Sequence, residues 1–137
     1  WAEVHDMTLI LEMKCHGNRE YRSAELLASS LRKTPKANII VSSFDIDFLR
    51  YFRTFAPHIP LASVHNFFPE DIYFLKTEVA IEAVHLDSDL IAASMDVTVF
   101  HQQGIKIRAW TVNDPRRAID LFDLGVDMVM SDYPERI

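Results

Sequence analysis

Six short apolar runs alternate with five amphipathic stretches along the 137 residues, and this alternation predicts an α/β fold built of parallel β/α units. The connections between them are only a few residues long. Six such strands belong either to an open doubly wound sheet or to part of an eight-stranded barrel. No glycine-rich phosphate loop follows any of the strands, which argues against a nucleotide-binding open sheet. The prediction is therefore a (β/α)8 barrel of the TIM type, incomplete here, with about six of the eight β/α units. A whole barrel takes roughly 250 residues.

The first strand, residues 8–14, contains Leu9-Ile10-Leu11-Glu12-Met13-Lys14, and its apolar run reads as a strand buried on both faces. Cys15-His16-Gly17-Asn18 is a loop. In the helix at 20–33, Ala24, Leu27, Ala28 and Leu31 recur at i, i+3, i+4, i+7, and Pro35 stops it. Asn38 to Ser43 is a β-branched second strand. Asp45 or Ser43 caps the next helix, whose Phe48, Phe52 and Phe55 form the buried face; Pro57 ends it. A third strand at 59–64 leads through a loop to a brief helix at 70–76, opened by Pro69. The fourth strand, 80–86, carries His85 near its end. A helix at 92–103 is closed by Gly104, where a left-handed cap belongs. After the fifth strand, 105–111, Asp114 and Pro115 mark a helix start. Ile119, Leu121, Phe122 and Leu124 are its expected apolar face, with Gly125 at its end. The sixth strand, 126–131, runs into the loop Asp132-Tyr133-Pro134.

Composition narrows the function. Hydrophobic residues make up 49% and charged residues 25%, as in ordinary globular proteins. The net charge of −6, with no basic run, argues against a nucleic-acid partner. A single cysteine, Cys15, rules out an internal disulfide framework and a zinc cluster. No apolar run reaches the roughly 18 residues of a membrane span, and no signal peptide is visible. The chain begins at Trp1 in mid-pattern, so further sequence is expected upstream. The compartment stays open, with the cytoplasm slightly favoured.

In α/β folds of both kinds, ligands sit at the C-terminal ends of the strands. Glu12 and Lys14 lie there and project to the same side of their strand. A buried carboxylate is costly unless it is paired or binds a metal. The two side chains therefore either satisfy each other as a core ion pair or belong to a metal or phosphate site.

Four segments occur in register: Leu11-Glu12-Met13-Lys14, Val41-Ser42-Ser43-Phe44-Asp45, Trp110-Thr111-Val112-Asn113, and Gly125-Val126-Asp127 leading to Ser131-Asp132-Tyr133-Pro134. Together they resemble the motifs of the glycerophosphodiester phosphodiesterase family, and residues 1–137 resemble the C-terminal portion of its single barrel domain. The resemblance implies a metal-dependent hydrolase that cleaves glycerophosphodiesters to glycerol 3-phosphate and an alcohol. It implies a divalent cation, Mg²⁺ or Ca²⁺, with Glu12 as one ligand, Lys14 beside the phosphate, and Trp110 lining the substrate pocket. A hard oxygen ligand suits either cation, and a flat indole can wall the glycerol side. Ser43 and His16 are weaker candidates: Ser43 either touches substrate or caps a helix, and His16 lies on the loop over the proposed site.

The family's acid/base histidine pair and its Glu-x-Asp ligands have no match here. His5-Asp6 stands on the threshold of the first strand, whereas the family's His-Asp pair lies one or two β/α units earlier, so His5 reads as a loop residue. The catalytic pair is expected upstream, and the isolated chain is expected to be inactive. A lone histidine near a strand end is more often just hydrogen-bonded, which is the reading for His65 and His85. Asp132 reads as a turn residue before Pro134, and Cys15 as an unactivated thiol. Two rivals remain: a non-catalytic barrel fragment that pairs with a partner segment, or with itself through open sheet edges, and a related barrel phosphodiesterase acting on phospholipid.

Overall fold

The computed structural model describes residues 7–15, 17–33 and 38–137. His5, Asp6, His16 and Pro35 lie outside them. The elements run β1 (Thr8–Met13), α1 (Glu20–Leu31), β2 (Asn38–Ser43), α2 (Ile46–Phe55), β3 (Leu61–His65), α3 (Ile72–Thr77), β4 (Ala83–Asp87), α4 (Ser94–His101), β5 (Lys106–Trp110), α5 (Pro115–Asp123) and β6 (Met128–Val129). The six strands pair in parallel in chain order, β1-β2-β3-β4-β5-β6. Sequential parallel pairing with a helix on each crossover is barrel connectivity rather than doubly wound connectivity, where the strand order reverses. The fold is an incomplete TIM-type barrel.

Strand alternation sends successive side chains to opposite faces. Val41, Leu61, Val84, Leu86, Ile107 and Ala109 face the helices and join one large apolar cluster with Phe48, Phe52, Phe100 and Leu121. Phe48 and Phe52 stack at 5.8 Å and are fully buried. Each such ring contributes roughly 1.5–3 kcal/mol through removal from water. The concave face is different. Its apolar part is a small patch of Ile10, Ile40, Ala62 and Ala83. Two residues further along the same strands, toward the C-terminal rim, come Glu12, Ser42, Val64 and His85.

The turn signals act locally. Asp45 Oδ1 accepts from the Phe48 N–H at 2.8 Å, so Asp45, not Ser43, caps α2. Asp114 caps α5, with Pro115 at its first position. Gly104 adopts φ +64° at the end of α4 and Gly125 φ +100° after α5, a backbone region that costs residues with a Cβ.

Four expectations need correction. β1 is not buried on both faces: among the described residues it has one hydrogen-bonded neighbour, and Glu12 is exposed. Pro69 does not open α3; Asp71 does, its carboxylate accepting from the Phe74 N–H at 2.7 Å. Asp can cap because it offers an acceptor, which Pro lacks. α5 buries Ala118 and Leu121, whereas Ile119 is 60% and Phe122 48% exposed. Residues 118 and 121 share one stripe, and 119 and 122 lie on the next stripe round, facing outward. The helix at 92–103 is shorter than expected: Asp96 binds the Ala92 and Ala93 N–H groups and holds its start at Ser94.

Candidate active site

A cleft of about 400 Å³ opens at the C-terminal ends of the strands, lined by Glu12, Lys14, Phe44, Val64, His85, Trp110, Thr111, Met130, Ser131 and Asp132. Two β/α units, those of β1 and β5, thus bring Glu12, Lys14 and Trp110 to one cavity. Glu12 Oε1 lies 3.6 Å from Lys14 Nζ, and the side chains are 38% and 72% exposed. An ion pair this open is worth little to stability, so the core ion pair expected from a buried strand is not what these residues form. They leave a carboxylate and an ammonium accessible to a ligand.

Trp110 is held on two sides. Its indole N–H donates to the His85 carbonyl at 3.0 Å, and Phe44 meets its ring edge-on at 5.9 Å. The peptide bond to Thr111 is cis. Beyond it, Asn113 ties the end of β5 to the loop after β6: its Oδ1 accepts from Ser131 Oγ and from the Asp132 N–H, both at 3.0 Å, while its Nδ2 donates to Asp132 Oδ2 at 3.1 Å. Asp132 is a turn residue, as its neighbour Pro134 suggests, and it also lines the cleft.

Ser43 is drawn away from this cavity. Its hydroxyl donates to the Met13 carbonyl at 2.7 Å and accepts from the Asp45 N–H at 3.0 Å. It borders a separate hollow with Met13, Lys14, Cys15, Phe44 and Asp45. Both of its polar partners are backbone, which makes it a strut between β1 and β2. Burial and the nearby Asp45 carboxylate push the Cys15 thiol up, away from thiolate chemistry.

The two buried histidines separate by face. His65 lies under the helices with Nε2 2.9 Å from Ser63 Oγ, and burial lowers its pKa to about 4. His85 is on the concave face and borders the cleft. Burial, then the Arg108 cation, then His65, lower its pKa to about 3. Arg108 is 4% exposed, yet it is satisfied: one guanidinium nitrogen donates to Glu82 Oε1 at 2.9 Å and the other lies 3.3 Å from His85 Nε2. Sequence reasoning undervalues His85, Phe44 and Asp132. The available signal is spacing: His85 is two residues past Ala83 and in register with Arg108, so two polar side chains share the inner face of adjacent strands.

Among the described residues no group of three or more His, Cys, Asp or Glu side chains lies together as a cation cage requires. Glu12 offers one hard oxygen, whereas Mg²⁺ and Ca²⁺ take about six to eight ligands. These residues alone do not fit a bound divalent ion.

A model of the glycerophosphoryl diester phosphodiesterase family matches residues 3–136. The chain belongs to that family. Among its relatives, YhdW of Bacillus subtilis (strain 168) is 28% identical over 137 residues, covering 94% of this chain and 54% of YhdW. YqiK of the same organism is 26% identical over 99% of this chain and 57% of its own length. The fold recurs in solved phosphodiesterases. An Oleispira antarctica phosphodiesterase, determined in complex with the product sn-glycerol-3-phosphate, superposes with a TM-score of 0.90 at 24% identity, over 98% of this chain and 55% of that one. A glycerophosphodiester phosphodiesterase from Parabacteroides distasonis gives 0.78 at 21% identity, over 94% and 54%. The chain spans about half the length of the curated relatives it matches.

Proposed function

We propose that this chain is the C-terminal portion of an enzyme that hydrolyses glycerophosphodiesters to glycerol 3-phosphate and an alcohol. The observation that carries the reading is the convergence of Glu12, Lys14 and Trp110 on one cleft at the strand C-termini, where barrel chemistry resides. Lys14 binds the phosphoryl oxygens and offsets the charge that builds on them as the diester is attacked. Trp110 walls the glycerol side. The family's histidine pair has no counterpart at the matching positions of this chain, so acid and base come from outside it, and the 137 residues alone are inactive.

Glu12 is proposed as one ligand of a Mg²⁺ or Ca²⁺ ion whose remaining ligands lie outside the described residues. The test uses the full-length protein with glycerophosphocholine. Wild type releases glycerol 3-phosphate, and chelation stops it. Glu12→Ala raises the cation concentration needed for half-maximal rate by roughly tenfold or more, since even residues behind a metal ligand cost 10–100-fold in affinity. Wild-type turnover by Glu12→Ala at limiting cation overturns the ligand assignment. Turnover by the 137-residue chain alone overturns the placement of acid and base.

A second reading is favoured by the edge of β1 that has no neighbour among the described residues: a barrel fragment that pairs with itself or with another segment. Light scattering on the 137-residue chain tests it: association supports the pairing fragment, and a stable monomer counts against it.

A further inference from the structure

We propose that His85 is a substrate-binding residue whose Nδ1–H donates to a hydroxyl oxygen of the glyceryl group, with Arg108 and Glu82 as positioning residues behind it. The proposal rests on the phosphodiesterase reading of the cleft.

A guanidinium has donors and no acceptor. With an Arg108 nitrogen 3.3 Å from His85 Nε2, that ring nitrogen must present its lone pair. The neutral imidazole then carries its proton on Nδ1. Arg108 is fixed in this orientation because its other nitrogen is committed to Glu82 at 2.9 Å. The line Glu82, Arg108, His85 therefore runs through the barrel interior from the residue before β4 to the floor of the cleft. Among the described residues His85 Nδ1 has no hydrogen-bond partner, and the side chain borders the cavity. A donor left free at the edge of a cleft is available to a ligand.

The chemistry of this donor selects its acceptor. His85 is no general base, because the lone pair it would use is engaged and a cation stands beside it. It carries no charge to offer a phosphate, a task that falls to the exposed ammonium of Lys14. A neutral donor suits a neutral oxygen. It is also coupled to the aromatic wall, because the Trp110 indole N–H is bound to the carbonyl of His85 itself. Wall and donor are thus held side by side, which suits recognition of a small polyol: apolar contact on one side and a directed hydrogen bond on the other.

Two substitutions separate the ring nitrogens. Asn carries its amide nitrogen where His has Nδ1, whereas Gln reaches the position of Nε2. In the full-length protein, the dissociation constants of sn-glycerol 3-phosphate and of inorganic phosphate are measured by calorimetry. His85→Gln keeps an acceptor for Arg108 and loses the donor. It should weaken glycerol 3-phosphate binding about tenfold, the cost of one hydrogen bond with its partner left unpaired, and leave inorganic phosphate unchanged. His85→Asn should bind glycerol 3-phosphate more tightly than His85→Gln does. If Gln matches wild type and Asn does not, His85 only supports Arg108 and the proposal is wrong. If both ligands weaken together, the donor is not on a hydroxyl and the proposal is again wrong. A measurement on unaltered protein guards against misfolded variants. Nitrogen-15 spectra of the imidazole should show the Nδ1–H tautomer, with that signal moving on addition of glycerol 3-phosphate and staying put with inorganic phosphate; a signal that ignores glycerol 3-phosphate overturns the assignment. Wild type that binds neither ligand is a separate outcome: it refutes the phosphodiesterase reading, and this proposal with it.

Discussion

On the helix-covered face of the sheet, Val41, Leu61, Val84 and Ile107 run into one continuous apolar cluster with Phe48, Phe52 and Phe100. On the concave face the same strands carry Ser42, His85 and Arg108 beside a patch of only Ile10, Ile40, Ala62 and Ala83. The helix face is mostly apolar, its buried Ser63 and His65 hydrogen-bonded to each other, whereas polar side chains make up most of the concave face toward the rim. Burying polar groups is costly unless each finds a partner. Arg108 is paired; among the described residues Ser42 Oγ is buried with no hydrogen-bond partner. The contrast locates function: stability is concentrated where helices pack, and the inner face gives up stability to present chemistry at the rim.

The packed face carries the largest expected effect. Phe48→Ala in the full-length protein should cost about 3–5 kcal/mol, read from the denaturant midpoint, because the ring is fully buried and its removal leaves a cavity that its neighbours fill only in part. A loss under 1 kcal/mol would mean that the helix face is not the main source of stability.

Acid tests both faces at once. His65 and His85 are neutral in the folded protein, with pKa values of about 4 and about 3 against 6.5 for the free side chain. The unfolded chain therefore binds more protons below pH 6.5, and stability rises with pH in that window. Stability should be at its full value above pH 6.5 and fall as the pH drops toward 4, by on the order of 2 kcal/mol for each histidine. His65→Gln keeps a partner for Ser63 and should remove about half of that slope in urea titrations between pH 7 and 4.5. An unchanged slope would place the titration elsewhere.

The smallest effect is expected at Ser42. Ser42→Ala deletes an unpartnered hydroxyl, so stability should stay level or rise by up to about 1 kcal/mol. A loss beyond that would show that the hydroxyl has a partner in the full-length protein.

Local chemistry made much of the fold legible. Asp114 sets the start of α5 through its side-chain acceptor, Pro115, Gly104 and Gly125 set element ends through backbone preference, and the strand–helix rhythm predicts the parallel order. Reading failed where neighbours decide. Nothing in Leu9 to Lys14 says that its strand has one hydrogen-bonded neighbour among the described residues, so Glu12 reads as buried although it is exposed. In α5 the large side chains Ile119 and Phe122 outweigh Ala118 in any hydrophobic tally, yet the small residue faces the core. The candidate site followed the same division. Glu12, Lys14 and Trp110 were legible because their motifs are contiguous in sequence. His85 and Arg108 were not: they lie 23 residues apart and become a pair only through strand register.

Cleavage of a phosphodiester in the cleft beside β1, as proposed, is tested most directly at Lys14, whose side chain is 72% exposed and whose removal disturbs no core. The full-length Lys14→Met protein should keep its circular dichroism spectrum and melting temperature. Its kcat/KM on glycerophosphocholine should fall by about 10²–10³-fold, the usual cost of one transition-state donor. Wild-type turnover by that variant would contradict the account.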